Sequence, residues 1–168
     1  MELNKNIPNW ELLPVFEDSV PDLVDYKGKP LLILFFNLGC PGCKGRALPF
    51  ANRIVVENGD NISVVGIHTR FEGPQYKLED FQKAKQDYFI RWPFYKDAGQ
   101  ANTFHKYKAG GTPHWLLLNA EGKLEYSIFG SDPNNALLRL DLRINELLEN
   151  NRKTTNQLWE KKKFGTKY

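Results

Sequence analysis

Two uninterrupted apolar runs mark the first half of the chain. Residues 31–37 read LLILFFN and residues 62–68 read ISVVGIH. Apolar runs without polar alternation are typical of strands that are buried on both faces of a sheet. Between them, RALPFANRIVVE at 46–57 predicts a helix, which ends at the following GDN. This order predicts a βαβ unit, in which a right-handed crossover joins two parallel strands.

The second half of the chain predicts further helices and a hairpin. Apolar side chains recur at helical spacing over 78–90, PFYKD at 93–97 is a short extended piece, and AGQANTFHKY at 98–107 predicts a short helix. Residues 110–130 predict two strands that are joined by a hairpin at NAEGK. Together these elements predict an α/β fold, with a mixed central sheet and helices on both of its faces.

The C-terminal part of the chain predicts a helix and a basic tail. The helix is expected within 132–150, with Asp132 as its N-cap and Pro133 at its first position. Residues 151–168 carry much of the excess positive charge. The simplest interpretation of this segment is a solvated helix and a frayed tail, and a binding patch for a partner is the alternative.

Length and composition fit one globular domain. The chain has 168 residues, of which 41% are hydrophobic and 26% charged, which is ordinary for such a domain. We expect a single domain over 1–168, with its core at about 28–150, an N-terminal extension over 1–27 that holds short extended pieces around WELLPVF, and the basic tail at 151–168. The net charge of +3 does not by itself indicate nucleic acid.

No stretch of the sequence predicts a signal peptide or a membrane span. MELNKNIPNW is polar and no apolar h-region follows it, while PLLILFF at 30–36 is too short to cross a bilayer. We therefore expect a cytoplasmic monomer without nucleic-acid or membrane partners, and a removed leader peptide is the alternative.

The only two cysteines of the sequence stand in one short motif, GCPGCKG at 39–45. Because a buried strand ends just before it and a helix begins within it, Cys40 is expected near a helix N-terminus. Unpaired N–H groups and the helix dipole stabilise a thiolate there, which makes it a nucleophile. Cys43, one turn later, is within reach to form or open a disulfide, and the charges of Lys44 and Arg46 act in the same direction.

Two other interpretations of the cysteine pair are open at this point. Two structural thiols would require no chemistry, although the Pro and Gly between them at a strand-to-helix turn do not favour this. A zinc site needs four ligands in most proteins, and the chain has no second cysteine pair. His68, His105 and His114 are the side chains that could complete such a site.

A second motif, GGTPHWLLL at 110–118, places Pro113 directly before an apolar strand. Proline cannot donate a hydrogen bond to a neighbouring strand, so it belongs at the first residue or at an edge. The bond between Thr112 and Pro113 is a candidate cis peptide.

These motifs together resemble the thioredoxin fold, and within it the TlpA/ResA group of thiol–disulfide oxidoreductases, which borders the AhpC/TSA family. The resemblance rests on PLLILFFNLGCPGCKGRALPF, VVGIHTRFE and KAGGTPHWLLLNAEGKL, and it runs from about Gly28 to about Asn150. It implies a thioredoxin-like three-layer sandwich and a thiol–disulfide oxidoreductase as the function.

The resemblance also implies a role for each residue of the two motifs. Cys40 is the attacking cysteine and Cys43 the resolving one, while Thr112 and Pro113 form the loop that faces them. The backbone of Thr112 is then free to pair with an extended substrate strand. No metal and no organic cofactor are expected besides the redox-active Cys40–Cys43 disulfide. The partners are a protein or small molecule that contains a disulfide, and an electron donor.

Four positions depart from the pattern of the relatives. Gly39 stands where many relatives have Trp, which predicts a less bulky surface around the disulfide. Leu34 and Arg46 stand where thioredoxins and ResA-like proteins carry an acid, so no carboxylate base is evident. Pro49 comes one position later in the helix than is usual, which predicts a local bulge.

Two alternative functions remain. A thiol peroxidase of the AhpC/TSA type would have Thr three residues before its reactive cysteine, where this chain has Asn37. A thioredoxin-like binding module would use the long connection at 69–91 and the basic tail to recruit a partner. A copper chaperone like the Sco proteins would need one more residue between the cysteines.

The histidines and aromatic residues divide into cleft candidates and core. His114 follows the predicted cis-proline and His68 ends a strand, so either could line the cleft or tune a thiolate. For His114 the alternative is a strand residue that points away or into a polar pocket. His105 is expected at the surface. The core is expected to contain several large apolar side chains, namely Phe35, Phe36, Trp115 and Leu116–Leu118.

Overall fold

A six-stranded mixed sheet forms the centre of the computed structural model, which describes residues 1–70 and 72–164. The order of the strands across the sheet is β1-β4-β3-β2-β5-β6. The three central strands β4, β3 and β2 run parallel, and β1, β5 and β6 join antiparallel. The strands are β1 (Leu12–Leu13), β2 (Leu31–Phe36), β3 (Ser63–His68), β4 (Phe94–Asp97), β5 (His114–Leu118) and β6 (Leu124–Phe129).

Helices cover both faces of the sheet, as the sequence predicts. A π-helical turn at Cys43–Ala47 leads directly into α1. The described α-helices are too short or too polar to cross a membrane. They are α1 (Leu48–Asn58), α2 (Leu78–Asp87), α3 (Asn102–Lys106) and α4 (Ala136–Phe164), with short 3-10 helices at Leu23–Tyr26 and Gly59–Asn61.

The strand β2 is buried along its whole length because its two faces belong to two hydrophobic cores. Leu32, Leu34 and Phe36 pack in the core that includes residues of α1, α2 and α4. Ile33 and Phe35 face the opposite core, which includes residues of α3. This three-layer arrangement is the predicted α/β thioredoxin-like sandwich. All the side chains that the sequence predicts as core are buried, namely Phe35, Phe36, Trp115 and Leu116–Leu118.

The N-terminal segment contributes more to the sheet than its irregular sequence indicates. Leu12 and Leu13 pair with β4, and Asn6 forms an isolated bridge with Lys123. Trp10 is buried, and its indole N–H donates to the carbonyl of Pro21 at 2.8 Å. This strand lies within the stretch WELLPVF, where the sequence predicts short extended pieces, but two residues are too few to show which strand they pair with.

The last helix begins later than predicted, and it continues into the segment for which the sequence predicts a solvated helix. Asp132 accepts the N–H of Asn134 at 2.8 Å, so the expected capping contact exists, but it closes a turn and the helix begins at Ala136. The helix then continues past residue 150 to Phe164, and its side chains over 149–163 are half-buried or exposed. Residues 165–168, which were expected to belong to the tail, lie outside the described residues.

Gly66 in β3 can be used to test how tightly the sheet packs against the aromatic side chains around it. A Cβ at this position of β3 would lie 2.5 Å from Trp92 Cζ3 and 2.9 Å from Phe94 Cβ. We expect Gly66→Ala to lower the free energy of unfolding by about 1–3 kcal/mol, because an extra methyl in a filled core forces its neighbours apart. Urea unfolding of the reduced protein measures this change. Gly45→Ala is the matched control, since a Cβ there meets nothing within 4 Å; an equal loss in both variants would contradict the expectation.

Candidate functional site

Cys40 occupies the position immediately before the first helical residue. Helical backbone begins at Pro41, and the carbonyl of Cys40 accepts the N–H groups of Cys43 at 3.1 Å and of Lys44 at 3.2 Å. Its Sγ also accepts the Cys43 N–H at 3.3 Å. This is the contact that an N-cap side chain makes with the third residue of a helix, and negative charge is favoured at this end of the dipole.

The two cysteines differ in exposure. Cys40 is half-buried and Cys43 is fully buried, and both are free thiols. Burial raises the pKa of Cys43, and the side chain of Cys40 raises it further, against smaller lowering effects from the Asn37 backbone and the Thr112 side chain. Cys43 therefore keeps its proton at neutral pH while Cys40 faces solvent.

The loop at Thr112 and Pro113 lies directly against the cysteine motif. The Cys40 thiol donates to the carbonyl oxygen of Thr112, with 3.3 Å between Sγ and O. The Thr112–Pro113 peptide bond is cis, as predicted. Gly42 leaves room for Ser131, because a Cβ there would lie 2.8 Å from the Ser131 hydroxyl, whereas its distance of 3.7 Å from Pro113 Cδ would be an ordinary contact. Two segments that are 72 residues apart in the sequence thus meet at one sulfur.

The predicted helix bulge is present. The N–H of Leu48 donates to the carbonyl of Cys43, five residues earlier, which defines the π-helical turn just before Pro49. Proline has no N–H to give to a helix, and a π turn is one way to accommodate the displaced pattern. Lys44 is half-buried and Arg46 exposed on this turn, and among the described contacts neither forms a hydrogen bond with a sulfur.

The segment before Cys40 is held by the end of β3. The Asn37 side chain donates to the Thr69 carbonyl at 2.8 Å and accepts the Gly39 N–H at 2.8 Å. His68 Nε2 accepts the N–H of Leu38 at 3.1 Å. These contacts fix the path of the chain from β2 into the cysteine motif.

Neither histidine candidate forms a hydrogen bond with a sulfur among the described contacts. His68 acts on Cys40 only through the backbone of Leu38. The Nδ1 of His114 accepts the Gly110 N–H at 3.1 Å, and its Nε2 lies 2.8 Å from the Ser127 hydroxyl, so this side chain occupies a polar pocket. Burial lowers the pKa of His114 to about 4, and burial together with the Lys96 ammonium does the same to His68. His105 is exposed, as expected.

A groove of about 620 Å³ opens beside Cys40. One wall includes Pro41 and Thr112, and another includes Glu72 and Pro74 from the connection after β3. Phe129 at the end of β6 also lines it and is 55% exposed. No motif in the sequence indicates that Glu72, Pro74 and Phe129 line a groove beside Cys40. The glycine pair Gly110–Gly111 is the sequence feature that could have indicated a close neighbour here. A Cβ on Gly111 would lie 2.7 Å from the Phe129 ring.

Tyr76 fills the space beside Gly39. A Cβ on Gly39 would lie 2.8 Å from the Tyr76 hydroxyl oxygen, and the Tyr76 ring packs edge-on against His68 with 5.5 Å between centroids. The expectation of a less bulky surface at Gly39 is therefore incomplete, because an aromatic side chain reaches this position from the connection after β3.

The sequence of this chain matches one family model, that of the AhpC/TSA family, over residues 3–127. The chain belongs to the AhpC/TSA family. No curated protein sequence matches this AhpC/TSA protein. Among the residues that the structure describes, no group of three His, Cys, Asp or Glu side chains could hold a metal ion.

Solved structures share the fold of this AhpC/TSA protein. A thiol-disulfide isomerase from Corynebacterium glutamicum is 27% identical, with a TM-score of 0.71 over 85% of this chain and 97% of that one. A thioredoxin-like superfamily protein is also 27% identical, with a TM-score of 0.74 over 85% and 96%. A candidate thiol:disulfide interchange protein DsbE from Chlorobium tepidum is 19% identical, with a TM-score of 0.75 over 88% and 99%, which shows the fold alone. The chain is thus a redoxin with the thioredoxin fold.

The contact between Gly39 and Tyr76 can be tested in this AhpC/TSA protein by a double-mutant cycle. We expect Gly39→Trp to lower the free energy of unfolding by about 1 kcal/mol, because at this exposed position the new side chain must displace the Tyr76 hydroxyl. In a Tyr76→Ala background the same substitution finds open space and should cost less, with a coupling of at least about 0.5 kcal/mol in urea unfolding. Additive effects of the two substitutions would contradict the contact.

The buried histidines predict that stability falls in mild acid. Their folded pKa values of about 4 lie below the value of about 6.5 for an exposed imidazole. Between these values the unfolded chain binds more protons, so the free energy of unfolding falls as the pH drops from about 6.5 to about 4, by up to about 1.4 kcal/mol per pH unit for each histidine. Urea unfolding between pH 5 and 6.5 avoids most carboxylate titration. His114→Gln should remove about half of the histidine contribution, and an unchanged slope would be the contrary result.

Proposed function

We propose that this protein is a thiol–disulfide oxidoreductase in which Cys40 attacks and Cys43 resolves. The observation that carries the proposal is the asymmetry of the pair. The half-buried Cys40 sulfur takes the N-cap position beside an open groove, and the buried Cys43 thiol keeps its proton one turn away. A nucleophile needs access and a stabilised anion, whereas a resolving thiol must stay out of reach of other reactants.

The electrons and protons of the reaction balance without a further group. The Cys40 thiolate attacks one sulfur of a substrate disulfide, forms a mixed disulfide and releases the first substrate thiolate, which takes a proton from water. The Cys43 thiol loses its proton, attacks Cys40 Sγ and releases the second substrate thiol. The substrate gains two electrons and the protein becomes the Cys40–Cys43 disulfide, which an external dithiol reduces again. The cysteine pair is the redox group, so no organic cofactor enters these steps.

The groove supports a protein or a small molecule as the disulfide substrate. Its volume of about 620 Å³ is in the range of small-molecule sites. Pairing of the Thr112 backbone with an extended peptide, the mode that the resemblance implies, is supported by its contact with the Cys40 sulfur. A reductase direction and a cytoplasmic location stay predictions.

Trapping of mixed disulfides tests the proposal. In Cys43→Ser the second step is blocked, so we expect this variant to hold client proteins as complexes that dithiothreitol releases, while the wild type reduces insulin. Cys40→Ser is the matched control and should trap nothing and reduce insulin no faster than the uncatalysed reaction.

Two outcomes favour other functions. If Cys43→Ser traps nothing and the wild type leaves insulin intact, the result favours a function as a thioredoxin-like binding module. Rapid consumption of a hydroperoxide that depends on Cys40 would favour the thiol peroxidase. The contacts of Asn37 speak against that function, because its side chain is bonded to Thr69 and Gly39 and not to Cys40.

A further inference from the structure

A second cavity lies next to the cysteine groove. It has a volume of about 200 Å³ and includes His68, Arg70, Tyr76, Phe81 and Lys96 in its lining. Tyr76 belongs to the wall between the two spaces, since its hydroxyl approaches Gly39, which lines the cysteine groove. None of the thiol chemistry above uses this second cavity.

His68 presents an N–H donor to the second cavity. Its Nε2 accepts the N–H of Leu38, so the neutral ring carries its proton on Nδ1. The side chain is only 5% exposed, and no described group bonds to Nδ1. No fully buried polar side-chain atom of the described residues lacks a partner. The Nδ1–H therefore reaches the open space of the cavity that His68 lines.

The rim of the second cavity is positively charged. Lys96 stands opposite His68 in the register of β3 and β4, and it forms no ion pair with a described acid. The Arg70 guanidinium donates one N–H to the Gly73 carbonyl, and its remaining N–H groups are available to a ligand. Asp97, the acid in the lining, is 3% exposed, and its two oxygens accept the N–H groups of Thr103 and Phe104 at 2.7 and 2.9 Å. The Asp97 carboxylate is therefore directed toward these backbone N–H groups and away from the open space of the cavity.

We propose that this second cavity binds a small monocarboxylate with an apolar or aromatic body. The His68 N–H and the Lys96 ammonium would meet the carboxylate, and the rings of Tyr76 and Phe81 would pack against the body. The volume of about 200 Å³ is below the usual range for drug-sized ligands, which limits the body to about one ring. The site would exist whether or not Cys40 reacts, because no sulfur lines it.

Benzoate is the probe for this site. Titration of the reduced protein, followed by the NMR resonances of the His68 ring and by calorimetry, should give saturable 1:1 binding. Lys96→Gln should weaken the affinity up to about fivefold, as expected for a partly solvated charge pair. Lys153→Gln is the matched control, since it removes the same charge from the exposed part of α4 and should leave the affinity unchanged. Benzamide, the neutral isostere, should not bind.

Several results would overturn the proposal. These are the absence of saturable benzoate shifts at His68, an equal effect of the two lysine substitutions, or binding of inorganic phosphate as tightly as benzoate, which would make the rim a general anion patch. Cys40→Ser should bind benzoate like the wild type. A failure of the redox proposal therefore leaves this one standing, and a failure of benzoate binding leaves the redox proposal standing.

Discussion

The burial of β2 on both faces is the constraint on which the rest of the molecule depends. Every residue of Leu31–Phe36 is almost wholly inaccessible to solvent, so this strand can be neither shifted by one residue nor exposed without emptying one of two cores. The chain therefore leaves the sheet at a fixed point. Cys40 lies four residues beyond that point, and the end of β3 holds the intervening loop.

The same constraint explains why the cysteines are unequal. A helix that starts at the end of a buried strand must pack one side against the sheet, and Cys43 falls on that side with Ala47 and Leu48. Cys40, at the start of the helix, remains at the edge of the core. Residues three apart share a helix face, so the difference comes from position along the chain: Cys40 lies before the first helical residue, where the core ends, and Cys43 lies one turn further in. The position of each cysteine along the chain is therefore enough to make one thiol accessible and the other buried.

The parts of the fold that the sequence could predict are those that show a local period or a local conformational limit. The buried runs of β2 and β3, the helix turn at the cysteines and the cis bond at Pro113 all belong to this class. The bulge before Pro49 does too, because proline excludes a regular hydrogen bond wherever it stands. The pairing of β1 could not be predicted. Its two residues are too few to show a period, and its partner is determined by where β4 lies in the folded chain.

Most of what shapes the two cavities could not be read from the sequence, because it depends on contacts between distant segments. Phe129 reaches the groove only because Gly111 lacks a side chain. Nothing in the sequence distinguishes Lys96 from the other lysines. It lies on the charged rim because β4 pairs with β3 and brings Lys96 opposite His68. Propensities and periods describe neighbours along the chain, whereas these relations are set by strand order and register.

Gly39 and Tyr76 show how such a contact changes the interpretation of a single position. Taken alone, a glycine directly before Cys40 implies an open surface. In the fold, the absent side chain leaves room for a ring that also packs against His68, and His68 in turn holds the Leu38 N–H. The wall beside Cys40 is thereby supplied by the connection after β3. The properties of this wall can then change by substitution in the connection, without any change in the cysteine motif or in the helix that follows it.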